Sequence, residues 1–191
     1  MAIHSKGLPF AAWDPRGKLG LGLSYASAAV GASHLRGWPT TREMPDRSAL
    51  EIVDSLVHDQ DVKTLKDSLT ICHFTHSISP PLKFEGCRRI TEAVWDREVT
   101  DEELENIAKR IWIVQRMFNI REYGGKKPYE FDTLPKRFMT EPLPSGRAKG
   151  KTAFIDEEDF INSMQALYAK RGLDTEGYPT AEEMKRLEIE F

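Results

Sequence analysis

The sequence is poor in cysteine, with only Cys72 and Cys87 among its 191 residues. Two thiols exclude a disulfide framework as the basis of the fold, so we expect reduced cysteines and a cytoplasmic protein. The chain also lacks an excess of charge, because 27 Lys and Arg face 30 Asp and Glu with both signs interspersed. We expect no nucleic-acid partner, since such proteins carry a basic patch or stripe.

Long hydrophobic runs are also scarce. The nearest approach is the uncharged stretch at residues 19–35. Its Gly, Ser and Ala content and His34 make it too polar for a helix that faces lipid. We therefore predict a tightly packed, buried helix there and no membrane partner, and we find no signal-peptide core in residues 1–12.

The sequence shows neither an internal repeat nor the alternation of apolar and polar residues that predicts half-buried strands. Helical periodicity is present instead. The clearest helix follows Thr100, which forms a capping box with Glu103. The apolar residues that recur at helical spacing after this cap are Leu104, Ile107, Ile111, Val114 and Phe118. We expect this stripe to pack against a core.

Weaker signals predict helices elsewhere. An imperfect apolar stripe covers residues 48–69, and Asp156 and Thr180 can each cap a further helix. Residues 121–152 are rich in Gly, Pro and Lys and have little periodicity, which predicts a long loop on the surface. The fold class that we predict is all-α: a multihelical, irregular helix bundle with long connecting loops.

Two motifs suggest chemistry at first sight. Gly150-Lys151-Thr152 matches the end of a phosphate-binding loop, but the motif requires Gly where Ser145 stands and a strand where prolines stand, so we do not expect nucleotide binding. The other motif joins thiol and imidazole groups, which suit zinc, and its members are Cys72, His73 and His76 with His58 nearby. That spacing is not diagnostic, because no second cysteine pair accompanies it.

Taken alone, the two thiols and the most prominent histidine favour structural roles. Cys72 and Cys87 are expected to be buried core thiols. His34 ends the small-residue run at residues 20–34; it could act as an acid or base, but without a partner motif a hydrogen-bonded structural histidine is favoured. The glycines of the run oppose a helix by about 1 kcal/mol each, so we expect close approach of another helix or a bulky cofactor to compensate.

Four blocks in order resemble one family, the aldehyde ferredoxin oxidoreductases, along nearly the whole chain. The first is Lys6-Gly7-Leu8-Pro9 with residues 14–17, 20–26 and 31–37; the second is residues 67–72; the third is residues 116–122, 134–138 and 141–146; the last is residues 168–174 with Gly177, Pro179 and Thr180. Members of this family oxidise aldehydes at a tungsten bis-pterin centre and pass electrons through a [4Fe-4S] cluster to ferredoxin.

The resemblance implies roles for particular residues. In the family, a segment Asp-x-x-Gly-Leu-Cys binds one pterin and supplies the fourth cysteine of the cluster; it corresponds here to Asp67, Thr70, Ile71 and Cys72. A carboxylate can accept hydrogen bonds from pterin NH groups, and a thiolate is the ligand that cluster iron requires. His34 falls where the family has a histidine near the metal, which makes it a candidate catalytic proton donor or acceptor.

The sequence departs from the family pattern at two of these positions. Thr70 stands in place of Gly and Ile71 in place of Leu, and Thr lacks the conformational freedom of Gly. By the same resemblance we divide the chain into a helical domain with cofactor-facing segments at residues 1–95 and a C-terminal helical domain at residues 96–191.

Other parts of the family pattern are absent from these 191 residues. The remaining three cluster cysteines, in the order Cys-x-x-Cys-x-x-x-Cys, and the sheet-rich pterin domain are expected upstream or in a separate subunit. One cysteine cannot hold a cluster that needs about four thiolates, so the chain alone is expected to bind no cofactor and to be inactive. The expected partners are that domain or subunit, ferredoxin and a small aldehyde. Without them, we expect an exposed apolar patch at residues 19–35 and Cys72.

Two other functions fit the same residues. One is a noncatalytic helical module that keeps the scaffold for interactions. The other is a subunit of a tungsten-dependent relative with another substrate, such as an aromatic acyl thioester. Substrate, choice of tungsten or molybdenum, and oligomeric state stay open.

Overall fold

The computed structural model describes residues 3–37, 48–77 and 81–190, and of His76 and Ser77 it describes the backbone alone. Within these ranges the chain forms one antiparallel hairpin, β1 (His4–Ser5) with β2 (Leu8–Pro9), and seven α-helices. The helices are α1 (Leu21–Ser27), α2 (Val53–Ser68), α3 (Phe84–Trp95), α4 (Asp101–Glu122), α5 (Arg137–Thr140), α6 (Glu157–Lys170) and α7 (Ala181–Arg186). The all-α prediction is confirmed. No helix in these ranges is both long and apolar enough to cross a membrane.

The predicted N-caps are confirmed, but the reciprocal half of the capping box at Thr100 is not, because the Glu103 carboxylate accepts hydrogen bonds from Arg97 instead. The side chains of Thr100, Asp156 and Thr180 each accept a hydrogen bond from the backbone amide three residues later, at 3.1, 2.7 and 3.2 Å. Each satisfies an amide that the first turn of a helix leaves without a partner, which stabilises a helix by about 1 kcal/mol. Three of the seven helices thus begin where the sequence indicates.

Helix α2 is central, because α3, α4 and α6 all pack against it. Its first half joins α1, α6 and the second half of α4 in the main core. Its last turns contribute Leu65 to a smaller cluster with Cys87 of α3 and with Val99, Leu104 and Ala108 around the start of α4. The main core takes residues from both sides of residue 95, and the division into domains at residues 1–95 and 96–191 stays a prediction.

The small-residue run forms a shorter helix than expected. Helix α1 is buried along its whole length, but it ends at Ser27, and Gly31 then adopts a φ of +89°. A Cβ at Gly31 would lie 2.2 Å from the carbonyl oxygen of Ser5, so both the turn and the packing require glycine. The expected close approach is made by an aromatic ring, since a Cβ at Gly22 would lie 2.9 Å from Phe154.

The prediction of an exposed apolar patch at residues 19–35 is therefore wrong for most of this segment. Leu19, Leu21, Leu23 and Tyr25 are fully buried. The physical reason is that other parts of the same chain already cover α1, among them Phe154 and Leu134 beside Gly22. Val30, 48% exposed, is the large apolar side chain of the segment that stays open to solvent.

The loop predicted at residues 121–152 is only partly a surface feature. It contains the short helix α5 and contributes Leu134 and Phe138 to the main core. It also carries Asp132, whose side chain is 1% exposed between the Lys6 ammonium at 2.8 Å and the Arg116 guanidinium at 2.6 Å. Leu134, Phe138 and Asp132 thus anchor the loop in the protein interior. The polar composition of the loop did not predict this burial.

Asp132 connects three distant parts of the chain. Besides the two cations, its carboxylate accepts a hydrogen bond from the Tyr168 hydroxyl of α6 at 2.6 Å. Burial alone would raise the pKa of Asp132, but the charges of Lys6 and Arg116 hold the pKa of this carboxyl below its ordinary value. The ionised carboxylate thus fastens the β1–β2 turn and α6 to the second half of α4.

We expect Asp132→Ala to destabilise the protein by about 3–5 kcal/mol, because it leaves two buried cations without their counter-charge. Urea denaturation followed by circular dichroism would measure the loss. The matched control is Glu122→Ala, whose carboxylate pairs with Arg121 on the surface, where both side chains are more than half exposed. That control should change stability by less than about 1 kcal/mol; an equal effect of the two substitutions would contradict the role given to Asp132.

Candidate functional site

The predicted site residues lie where α2 ends. The backbone amide of Thr70 donates to the carbonyl of Asp67 at 3.1 Å, and that of Ile71 donates to the carbonyl of Lys66 at 2.8 Å. This pair of hydrogen bonds is the Schellman motif, in which one residue just after the helix takes a left-handed conformation. Thr70 is that residue, with a φ of +57°. The position at which the sequence departs from Gly therefore keeps the backbone shape that favours Gly.

Asp67 is held by two cations. Its carboxylate pairs with Lys63, one turn earlier on α2, and with the guanidinium of Arg36 from the segment after α1. The backbone of Arg36 is fixed in turn, because its carbonyl accepts a hydrogen bond from the Ser24 hydroxyl of α1 at 2.7 Å. The Asp67 side chain keeps 34% of its surface exposed, so it has room to accept further hydrogen bonds.

A cavity of about 230 Å³ opens beside Asp67, between α2 and α4. Its lining residues are Ala28, Ala29, Arg36, Gln60, Lys63, Thr64, Asp67, Ser68, Ile111, Trp112 and Gln115. One wall is therefore polar and charged, whereas the α4 side is largely apolar. Such a combination can receive a ligand that has both a hydrogen-bonding edge and a flat or apolar face.

A buried arginine contacts two of the residues that line the cavity, Gln60 and Trp112. Arg171, at the end of α6, pairs with Asp61 and donates to the side-chain oxygen of Gln60 at 2.9 Å. Its guanidinium carbon also lies 4.8 Å from the ring centre of Trp112. Its side chain is 1% exposed, so it contacts Gln60 and Trp112 from the protein interior.

His34 lies near the N-terminal segment. Its imidazole stacks on the Trp13 ring, with 6.1 Å between ring centres and 25° between planes. Burial lowers the pKa of His34 below its ordinary value, so the neutral imidazole is favoured at neutral pH and is able to accept a proton. The ion pair between Arg36 and Asp67 brings this segment against the end of α2.

The two cysteines occupy contrasting environments. Cys72 is an exposed free thiol just before the 3-10 turn His73–Ser77, whereas Cys87 is fully buried in α3. Burial raises the pKa of the Cys87 thiol. The expectation of a core thiol is met by Cys87 and is wrong for Cys72, because Cys72 lies beyond the end of α2 at an exposed position. Among the residues whose side chains are described, no group of three potential ligands could hold a metal ion.

Sequence reasoning proposed Asp67 and Cys72 as site residues, which stays a prediction, and it missed the cations around Asp67. The spacing of four residues between Lys63 and Asp67 was a readable signal, because such residues are neighbours on a helix. Nothing in the sequence links Arg36 to Asp67 across 31 positions. Gln60, Trp112 and Arg171 were missed for the same reason, since the tertiary fold alone brings them together.

Comparison with known proteins places these features in one family. The family model described as "Aldehyde ferredoxin oxidoreductase, domains 2 & 3" matches residues 1–189. The chain belongs to the aldehyde ferredoxin oxidoreductase family. The resemblance on which the predicted site residues rest is thereby confirmed at the level of the family.

The family members that it resembles are much longer proteins. The chain is 32% identical to the tungsten-containing aldehyde ferredoxin oxidoreductase of Pyrococcus furiosus over 99% of its own length and 31% of that relative. It is 31% identical to the corresponding Pyrococcus abyssi protein over 100% of its length and 31% of that relative. The chain therefore spans about a third of the length of these curated relatives.

Two further similarities are to proteins named for other reactions. The WOR-like subunit of the aliphatic sulfonate oxidoreductase of P. furiosus is 30% identical over 98% of this chain and 28% of the relative. A solved structure of the active-site complex BamBC of benzoyl coenzyme A reductase aligns with a TM-score of 0.58, covering 76% of this chain and 20% of that chain. At 21% identity the second similarity concerns the fold alone.

The position of Thr70 generates a stability prediction for this member of the family. We expect Thr70→Gly to raise the free energy of unfolding by about 1 kcal/mol, because a left-handed conformation costs a residue with a Cβ about 1–2 kcal/mol. Thermal denaturation would measure the change. Thr64→Gly is the matched control: it lies inside α2, where glycine should lower stability. Destabilisation by both substitutions would contradict the strain at Thr70.

The environment of His34 generates a second prediction. We expect its imidazole to titrate below the ordinary value of about 6.5 in an NMR titration of labelled histidine, because burial disfavours the charged form. Trp13→Ala should move the midpoint upward by uncovering the ring. Trp95→Ala, which removes another half-exposed tryptophan at the end of α3, should leave the midpoint unchanged. A midpoint at or above 6.5 in the unaltered protein would refute this assignment.

Proposed function

We propose that this chain forms the C-terminal part of an aldehyde:ferredoxin oxidoreductase and contributes Asp67, Cys72 and His34 to a site completed by other polypeptide. The observation that carries the proposal is the end of α2. There, a glycine-like turn at Thr70 separates a cavity-lining carboxylate from an exposed thiol. The family pattern assigns pterin binding to the first group and cluster ligation to the second.

The residues present fit the groups that the family implies. Cys72 is accessible and lacks a disulfide partner, so its sulfur is free to ligate iron as a thiolate. Asp67 faces an open cavity and keeps exposed surface, so its carboxylate can accept hydrogen bonds from the NH groups of a pterin. When bound, the tungsten centre and the cluster would supply the two-electron oxidation of an aldehyde and the onward transfer of electrons to ferredoxin.

The backbone of Thr70 and Ile71 has a distinct part in this proposal. Their amides are used within the Schellman motif, so these residues are expected to set the direction of the chain rather than to bind the pterin through those NH groups. The turn carries the chain from the cavity, at Asp67, to the exposed position of Cys72. Thr70 and Ile71 would thus act as spacers that set Asp67 and Cys72 apart.

His34 is proposed as the proton-transfer residue. Aldehyde oxidation to a carboxylic acid releases protons, and a neutral imidazole is the side chain best suited to accept one near neutral pH. The lowered pKa of His34 keeps it in that form. Its segment reaches the α2 terminus through the ion pair between Arg36 and Asp67.

The remainder of the site would come from a polypeptide that carries the cysteine triplet. Three further thiolates are required for a cubane cluster, and Cys87 is buried away from the surface. The relatives, three times as long as this chain, have room for such a part. An aldehyde as substrate is the family expectation, and ferredoxin is the expected electron acceptor.

The test is the cluster itself. We expect Cys72→Ala to abolish the iron–sulfur absorption and to lower the iron content when the chain is produced anaerobically with a polypeptide of the same source that carries the triplet. Cys87→Ala is the matched control and should retain the cluster, because its thiol is buried in α3. An unchanged cluster in Cys72→Ala would refute the assignment, whereas binding of a partner without iron that Cys72→Ala leaves intact would favour a noncatalytic interaction module.

A further inference from the structure

The apolar stripe predicted on α4 changes its environment halfway along the helix. In the first half, Leu104 is buried and Ile107 packs against the smaller core cluster. In the second half, the same stripe turns to solvent, with Val114 43% and Phe118 53% exposed. The prediction that the whole stripe packs against a core is therefore wrong for its C-terminal half.

The physical reason is that α4 uses different faces in its two halves. In the second half, the side facing the main core carries Trp112, Ile113 and Arg116. Residues 111, 114 and 118 are spaced three and four apart, which puts them together on the outward side of the helix. Isolated apolar residues on a surface are ordinary. Here, however, three apolar residues in one row extend the buried stripe of the first half of α4 onto the surface.

This row, with Val30, forms an apolar surface that begins at the wall of the cavity. Ile111 lines the cavity itself, together with Ala29. The Asn119 side chain donates to the carbonyl of Ala29 at 2.7 Å, which fastens the segment of Val30 to the last turn of α4. We call Val30, Ile111, Val114 and Phe118 the α4 surface.

Two observations indicate which molecule covers the α4 surface. Ile111 and Ala29, the neighbour of Val30, line the cavity that contains Asp67, so a polypeptide that completes the site there also reaches the start of this surface. In addition, the relatives are about three times as long as this chain, so their remaining length must contact this part of the fold somewhere. An apolar row rimmed by Gln115, Arg121 and Glu122 has the composition of an interface centre with a polar edge.

We propose that the α4 surface is the docking site for the polypeptide that carries the cysteine triplet, with Phe118 as its central anchor. This inference rests on the proposed function, because that function supplies the partner. The partner should present an apolar helix or strand to the row, with polar groups that match Arg121 and Glu122. Docking there would cover the cavity wall at Ile111 and limit the access of water to Asp67.

The experiment compares Phe118 with a matched aromatic residue elsewhere. Trp95, at the end of α3, is 46% exposed and has the Arg97 guanidinium 4.8 Å from its ring centre. Phe118 is 53% exposed and has the Arg121 guanidinium 4.9 Å from its ring centre. The chain is produced with the triplet-carrying polypeptide of the same source, with the photo-reactive residue benzoylphenylalanine at position 118 or 95, and adducts are identified by mass spectrometry.

We expect adducts with the triplet-carrying polypeptide from position 118 and not from position 95. Phe118→Asp should weaken the association by about 30-fold, as the loss of one aromatic anchor does, whereas Trp95→Asp should not. Both variants should keep the thermal stability of the chain alone, because neither ring is part of a core. Adducts between two copies of this chain, equal adducts from the two positions, or an unchanged affinity of Phe118→Asp would overturn the proposal.

The same samples separate the failure of the docking surface from the failure of the proposed function. If Cys72→Ala loses the cluster while Phe118→Asp binds as before, the cluster assignment stands and the α4 surface falls. If Phe118→Asp loses binding while Cys72→Ala keeps the cluster, the docking surface stands and Cys72 is not the ligand.

Discussion

Asp132 lies between two cations in a part of the protein that is almost closed to water. Removing three charged groups from water costs several kcal/mol for each of them, and this cost is offset only where the geometry joins them closely. Here Lys6 and Arg116 lie within 2.8 Å of the carboxylate, and Tyr168 donates to it. The packing of the N-terminal hairpin, α4 and α6 depends on this cluster, because each supplies one of the groups that surround the carboxylate.

A second buried arginine extends the same principle to the candidate site. Arg171 joins the end of α6 to Asp61 and Gln60 of α2 and lies against Trp112 of α4. Each arginine cluster therefore joins α4 to α6, the first through Asp132 and Tyr168 and the second through Trp112. The cavity beside Asp67 opens from this fixed frame, whereas its rim consists of side chains that are exposed. Rigid walls and an open rim suit a site that a second polypeptide completes.

Local features could be predicted from the sequence, and non-local ones could not. Thr100 caps its helix through an amide three residues away, so the signal is contained in four positions. The direction of the α4 stripe depends instead on which elements reach each half of the helix. The burial of Asp132 depends likewise on Lys6, 126 positions earlier, since a loop rich in Gly, Pro and Lys gives no sign that it enters a core.

Local and non-local features also occur side by side at residues 67–72 of the candidate site. The spacing of Asp67 and Cys72 is local and could be read directly, but the pairing of Asp67 with Arg36 arises from the tertiary fold. Thr70 lies between these cases, since its left-handed backbone is unfavourable for a β-branched residue and persists only where surrounding contacts determine it. Two backbone hydrogen bonds at the helix end supply those contacts. The turn at Thr70 therefore fixes the relative placement of a cavity-lining carboxylate and an exposed thiol at the cost of local backbone strain.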